Sequence, residues 1–212
     1  MATTKIEFDP QLCHVLGFRH GPRLTPPPKG NVWDFTMDVS PEDAVVGART
    51  VSTYFPHIVP AAMRCSPLPR THTTLCNRWS DLFDQIGVDA RLGILRSDIP
   101  RWNKIDAMPD AYNAIPQDYL AIDCDLMLEA GRNWLAANKS LAMIIGRGKV
   151  AVTCSHFGNA DTGVYLARRN MGVMDNDGWL PGKGFQSGAF VHLSYTKDGW
   201  LVYCRYYPVP PA

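Results

Sequence analysis

The chain has 212 residues, 46% hydrophobic and 19% charged, and a formal net charge of +1. That length supports one substantial core, or one core with a small appendage. The near-neutral balance argues against a protein whose main business is gripping nucleic acid electrostatically, and short basic clusters such as Arg168-Arg169 read as solvated surface.

The opening MATTKIEFDPQLC lacks a basic segment followed by an apolar run, so no secretory signal is expected. Synthesis in a cytoplasm follows, with the final location left open. The first seventy residues are rich in proline. GPRLTPPPKGN predicts an extended segment with a polyproline tract at Pro26 to Pro28, and NVWDFTMDV alternates as a strand does. AVVGARTVSTYF fits a second strand or a short helix, because its periodicity is ambiguous. Residues 1–70 are therefore expected to form an extended Pro-rich arm or a small β subdomain, and residues 71–212 an α+β domain.

In TTLCNRWSDLFDQIG, residues 73–87, Thr73 and Thr74 are candidate N-caps, and Leu75, Trp79, Leu82, Phe83 and Ile86 recur at helical spacing before Gly87. Cys76 then stands near a helix N-terminus. DIPRWNKIDAMPDAYNAIPQDY is loop-like, punctuated by Pro100, Pro109 and Pro116. A second helix is predicted from about Gln117 to Asn138, with an apolar stripe of Leu120, Cys124, Leu128, Gly131 and Leu135.

The last third reads as strands: LAMIIG, KVAVTC, TGVYLARR, GAFVHLSY and GWLVYCRYY, the final two joined at an Asp198-Gly199 hairpin turn. The fold class expected is α+β, two helices followed by an antiparallel β-meander behind an extended Pro-rich N-terminal segment. Arg147 and Lys149 interrupt the most apolar stretch, so no membrane span is expected.

The six cysteines, at positions 13, 65, 76, 124, 154 and 204, contain no C-x-x-C pair. Neither a zinc site nor a disulfide scaffold is suggested, and no metal or other cofactor is expected. His14, His20, His57 and His72 show no metal-site spacing. Asp175 and Asp177 in MDNDGW lack the glycine and distal glutamate of a calcium loop and read as an Asx-type turn.

A cysteine hydrolase needs a thiolate, an imidazole to take its proton and a polar group to orient the ring. A helix N-terminus favours the thiolate. Cys76 meets the first need by pattern, and His192, inside the hairpin, meets the second. TLCNRWSDLFDQIGV and GAFVHLSYTKDGWLV, with GWLPGKGF before the latter, resemble the nucleophile helix and the histidine strand of papain-like cysteine amidases and peptidases of the CHAP kind. The resemblance implies Cys76 as nucleophile, His192 as base and a peptide or peptidoglycan stem peptide as substrate. The interval between the two is long, and Tyr203, Cys204 and Arg205 supply no evident orienting group.

Alternatives remain beside that pair. Cys124 opens a helix if YLAI is a strand, although the stripe through it favours packing. Cys154 and His156 point the same way on a strand. His156 is the second choice of base, with Asn159 or Asp161 to hydrogen-bond it. Asp123 and Asp125, with His156 and Asp161, resemble in spacing the acidic motifs of DEDD exonucleases, but no Asp or Glu lies between Glu129 and Asp161 for the middle motif. A non-enzymatic reading stands equal to the amidase. The Pro-rich arm and the YYPVPPA tail suit a structural or assembly protein, a viral capsid- or adaptor-like subunit that self-associates or meets a protein partner through its N-terminal arm.

Overall fold

The run CHVLGFR has no polar alternation, and every one of its residues is buried, as a strand covered on both faces requires. A computed structural model describes residues 6–22, 38–111, 114–172 and 184–212. In chain order they form β1 (Cys13–Arg19), α1 (Glu42–Tyr54), β2 (Ala62–Cys65), α2 (Pro69–Arg78), β3 (Ile86–Val88), α3 (Ile99–Asp106), α4 (Pro116–Ile122), α5 (Cys124–Ile145), β4 (Val150–Ser155), α6 (Asn159–Asn170), β5 (Phe190–Tyr195) and β6 (Leu201–Tyr207). The strands make one sheet in the order β3-β2-β4-β1-β5-β6. The β1–β4, β2–β4 and β2–β3 pairs are parallel, whereas β5 runs antiparallel to both β1 and β6.

Side chains alternate across the sheet and meet a helical layer on each side. Leu16, Phe18, Val152 and Phe190 pack with Phe55, just after α1, with Leu75 of α2 and with Trp79, just after α2. Val15, Ala151 and Val191 face Trp134 and Leu141 of α5 and Val164 of α6. A third cluster joins Trp102 and Ile105 of α3, Tyr119 of α4 and Met127 of α5 around Phe157, just beyond β4.

This is an α/β fold with a mixed six-stranded sheet, not the α+β arrangement of two helices and a β-meander expected above. Local patterns explain the difference. LAMIIG lies in the last turns of α5, and TGVYLARR belongs to α6. Both are apolar enough to pass for strands because they pack against the sheet. AVVGARTVSTYF falls in α1. The helix around Cys76 begins earlier than predicted, at Pro69, where the fixed φ of proline suits a first helical position, and it ends at Arg78. The predicted Gln117–Asn138 helix is two helices, broken at Asp123, whose carboxylate accepts from Leu126 N–H at 3.2 Å to cap α5. The Asp198-Gly199 turn does join β5 and β6. Thr196 N–H donates to the Trp200 carbonyl at 2.9 Å, and Gly199 takes φ +81°.

The boundary expected at residue 70 falls inside α2, and β1 stands in the same sheet as strands from residues 150 to 207. The polyproline tract and most of the strand predicted in NVWDFTMDV lie outside the described residues. Among the described residues, no helix is long and apolar enough to cross a membrane.

The packing of α6 on α5 depends on a small residue at position 163. Trp134 is fully buried, and a β-carbon on Gly163 would stand 2.3 Å from its ring. Gly163→Ala is therefore expected to cost about 1–3 kcal/mol as the indole is forced aside. A melting temperature unchanged from the parent in thermal unfolding would contradict this packing.

Candidate functional site

Two adjacent parallel strands each run directly into a histidine. The register sets Arg19 of β1 opposite Ser155 of β4, and His20 N–H donates to the Ser155 carbonyl at 3.0 Å. The rings of His20 and His156 consequently lie 5.3 Å apart, both buried. Beside them, Ser66 follows the end of β2, its N–H donating to the Cys154 carbonyl at 3.2 Å. Three carboxyl ends of strands thus meet at one edge of the sheet, where open α/β sheets bind ligands.

His20 has a defined tautomer. Its Nδ1 lies 2.7 Å from the Gly21 carbonyl, which only accepts, so Nδ1 carries the proton and Nε2 keeps a lone pair. The chain then turns under tight constraint. Gly21 N–H donates to Thr74 Oγ1 at 3.0 Å, and a β-carbon on Gly21 would fall 1.6 Å from an Asp43 carboxylate oxygen. Asp43, from α1, forms an ion pair of 3.3 Å with Arg78 of α2 and accepts from Asn77 Nδ2 at 3.3 Å. Both ion-pair side chains are fully buried. Helices α1 and α2 thereby clamp the turn that presents His20.

Cationic groups gather at the same end. Arg19 donates to the Phe185 carbonyl and lies 5.6 Å over the Phe157 ring. Arg70, the second residue of α2, is fully buried. Its neighbour Thr71 places Oγ1 3.0 Å from Ser66 Oγ, which in turn meets His156 Nε2 at 2.7 Å. Asp161, in the first turn of α6, accepts from Gly158 N–H and Phe185 N–H, each at 2.7 Å. Burial pushes its carboxyl up from the ordinary carboxylate range, against the opposing pull of Arg19 and these N–H groups. Helices α2 and α6 both begin beside the site, and their free N–H groups and dipoles favour an anion there. The arrangement supplies a nucleophilic imidazole, a second imidazole and two buried guanidiniums. It suits a tetrahedral anion such as phosphate.

Cys76 is elsewhere. It is the eighth residue of α2 rather than an N-terminal one, and its Sγ sits 3.4 Å from His72 Nδ1 on the same helix. Burial raises its thiol pKa, opposite to the activation expected. His192 hydrogen-bonds His14 and Ser194 instead. Cys124 does open a helix, but as an exposed first residue of α5 and not as part of the apolar stripe. Cys154 is fully buried with its thiol pushed well up, and His156 lies past the strand end, so the two do not share a strand face. His156 and Asp161 do reach the strand ends, but their company is His20. Sequence reasoning missed Arg19, His20, Ser66 and Arg70. The available signal was a short, largely apolar run, VLGF, stopping abruptly at Arg-His-Gly.

No protein-family profile matches the sequence, and neither does any curated protein. Solved structures do match. YhfR of Bacillus stearothermophilus superposes with a TM-score of 0.56 at 16% identity, over 89% of this chain and 94% of that one. Phosphoglycerate mutase from Bacillus anthracis gives 0.54 at 11% identity, over 92% of each chain. A phosphoserine phosphatase from Entamoeba histolytica, in complex with phosphoserine, gives 0.54 at 12% identity, over 91% and 95%. The chain has the α/β fold of these phosphoglycerate mutase and phosphatase structures. The resemblance to CHAP-type cysteine amidases is thereby overturned, since that reading required a nucleophile helix followed by an antiparallel sheet. Neither the amidase nor the viral assembly subunit finds support in this fold.

The clamp makes a direct prediction. Asp43→Ala strands a buried guanidinium and is expected to cost about 3–5 kcal/mol in urea-monitored unfolding. A loss below about 1 kcal/mol would show that the ion pair does not hold this turn.

Proposed function

We propose that the protein is a phosphatase that transfers a phosphoryl group through His20. The observation that carries this reading is the bond from His20 Nδ1–H to the Gly21 carbonyl. It leaves the Nε2 lone pair as nucleophile at the end of the sheet where the buried Arg19 and Arg70 also stand. Nε2 attacks phosphorus, the phosphorus–oxygen ester bond breaks, and the departing oxygen takes a proton. Water then attacks the phosphoryl-imidazole, releasing inorganic phosphate and restoring the neutral ring.

Arg19 and Arg70 hold the non-bridging oxygens as charge spreads over them. Ser66 Oγ meets His156 Nε2 at 2.7 Å and so fixes the orientation of the second ring at the site. The shared fold supports the reading, since by their names the structures it matches include a phosphoserine phosphatase and a phosphoglycerate mutase.

Asp161 and Asp43 on the flanking helices, and Asp38 ahead of α1, are already engaged. Asp161 accepts from two backbone N–H groups, Asp43 is paired with Arg78, and Asp38 accepts from Thr73 and Val39 N–H. A substrate whose leaving group needs no strong acid is therefore the right probe. With p-nitrophenyl phosphate, His20→Ala is expected to abolish turnover. Arg70→Ala should lower kcat by about 100- to 1,000-fold with the fold retained by circular dichroism. Full activity in a folded His20→Ala variant would defeat the proposal.

A further inference from the structure

At the opposite end of β1 from His20, about 20 Å along the strand, residues 6–12 lie as a strap on the α1 side of the sheet. Under the strap are two buried histidines that the phosphoryl chemistry does not use, His14 of β1 and His192 of β5. The β1–β5 register brings their rings together, with His14 Nδ1 3.0 Å from His192 Nε2. Ser194 Oγ touches the same two nitrogens at 3.0 and 3.1 Å. The Phe8 ring of the strap meets both imidazoles in T-shaped contact, 5.1 Å from His14 and 5.2 Å from His192. Tyr203 of β6 packs on His192 as well, at 5.0 Å.

The contact limits how many protons the pair can hold. His14 Nε2 lies 2.8 Å from the Asp9 carbonyl, which only accepts, so Nε2 carries the proton of the neutral ring. A further proton can enter in two ways. On His14 it occupies Nδ1 and obliges His192 Nε2 to accept, which places the His192 proton on Nδ1. On His192 it makes both ring nitrogens donors. Either way His192 Nδ1 becomes a buried donor, and it has no hydrogen-bond partner among the described residues. A buried cation with an unmet N–H is costly. Burial lowers the pKa of both rings, and with the neighbouring His14 it holds His192 down to about 3.

The surrounding charges do not reverse this balance. Glu7 and Asp9 stand on the strap itself, and Asp9 draws a proton toward His14 through its carbonyl and its charge, against the larger effect of burial. Tyr54 of α1 and Tyr203, Arg205 and Tyr207 of β6 line the adjoining cleft of about 690 Å³. Tyrosine and arginine side chains do not change charge in the acid range. On β4 the register partner of His14 is the apolar Val150. The strap is lightly held. Ile6 N–H donates to the Tyr54 carbonyl at 3.3 Å, the Asp9 carbonyl takes the His14 bond, and Leu12 accepts from Gly148 N–H at 2.8 Å where β1 is about to begin. Lifting residues 6–11 therefore opens both rings to the cleft without breaking the sheet.

We propose that the His14–His192 pair is an acid-sensitive latch, which holds the strap on the sheet at neutral pH and releases it as the pH falls through the histidine range. Released rings regain ordinary proton affinity, and closed rings do not. Closure is therefore strongest above about pH 6.5 and weakens as the pH falls toward 3. Hydrogen exchange of the full chain at about pH 7.5 and about pH 5, each rate divided by the intrinsic rate at that pH, tests the latch. Strap protection is expected to fall about tenfold or more at the lower pH, while Val15 and Val152 in the sheet keep theirs. In the double variant His14→Gln with His192→Gln the strap should be equally protected at both, because glutamine does not titrate. A ring-resolved NMR titration of the parent needs no variant, and both imidazoles are expected to take up protons only as strap protection is lost. Four results would each overturn the proposal. They are strap protection independent of pH, equal loss of protection in strap and sheet, a pH dependence that survives in the folded double variant, and protonation of either ring with the strap still protected.

Discussion

The site depends on the parallel register between β1 and β4. Because Arg19 faces Ser155, the residues that follow the two strands leave the sheet side by side, and both are histidines. A slip of one residue would send every side chain of a strand to the opposite face. The register is enforced by burial on both sides. Leu16 and Phe18 belong to one core layer, Val15 and Gly17 to the other, and neither layer tolerates the exchange. The hydrophobic patterning of a seven-residue strand therefore decides where an imidazole 5.3 Å from its partner is held.

Placing charged groups at that edge has an electrostatic cost, which the surrounding helices offset. Asp43 and Arg78 are removed from water together, and their pairing crosses from α1 to α2 behind Gly21. Asp161 plays a comparable part on the other side, tying the start of α6 to Phe185 while facing the charge of Arg19. Nearly every polar group near His20 thus positions backbone rather than facing solvent. A preorganised site of this kind has its hydrogen bonds made before any substrate arrives.

Local signals made part of the fold legible. The β5–β6 hairpin could be read because Asp198-Gly199 and the flanking runs act over a few residues. KVAVTC could be read as a strand for the same reason. The parallel pairing within the core could not. Its strands are covered on both faces and lose the period of two, and their partners lie up to 136 positions away, as His14 and Val150 show. Helices α1, α5 and α6 borrowed strand-like composition from the sheet they cover. The site suffered most, being assembled from residues 19 to 21, 66 to 70 and 156 to 161, with no spacing between them that a single sequence reveals. Cys76 reads as an N-terminal cysteine only if its helix starts at Thr73 or Thr74. Pro69, at the first position of α2, was the local cue to the earlier start.

The central claim is that His20 Nε2 becomes covalently phosphorylated. The direct measurement is rapid quenching of the enzyme with a fast-leaving phosphate ester into alkali, where phosphohistidine survives, followed by peptide mass spectrometry. The account predicts a phosphoryl group on the peptide bearing His20, absent in His20→Ala. Turnover with no modified His20 at any quench time, or the phosphoryl group on another residue, would contradict it.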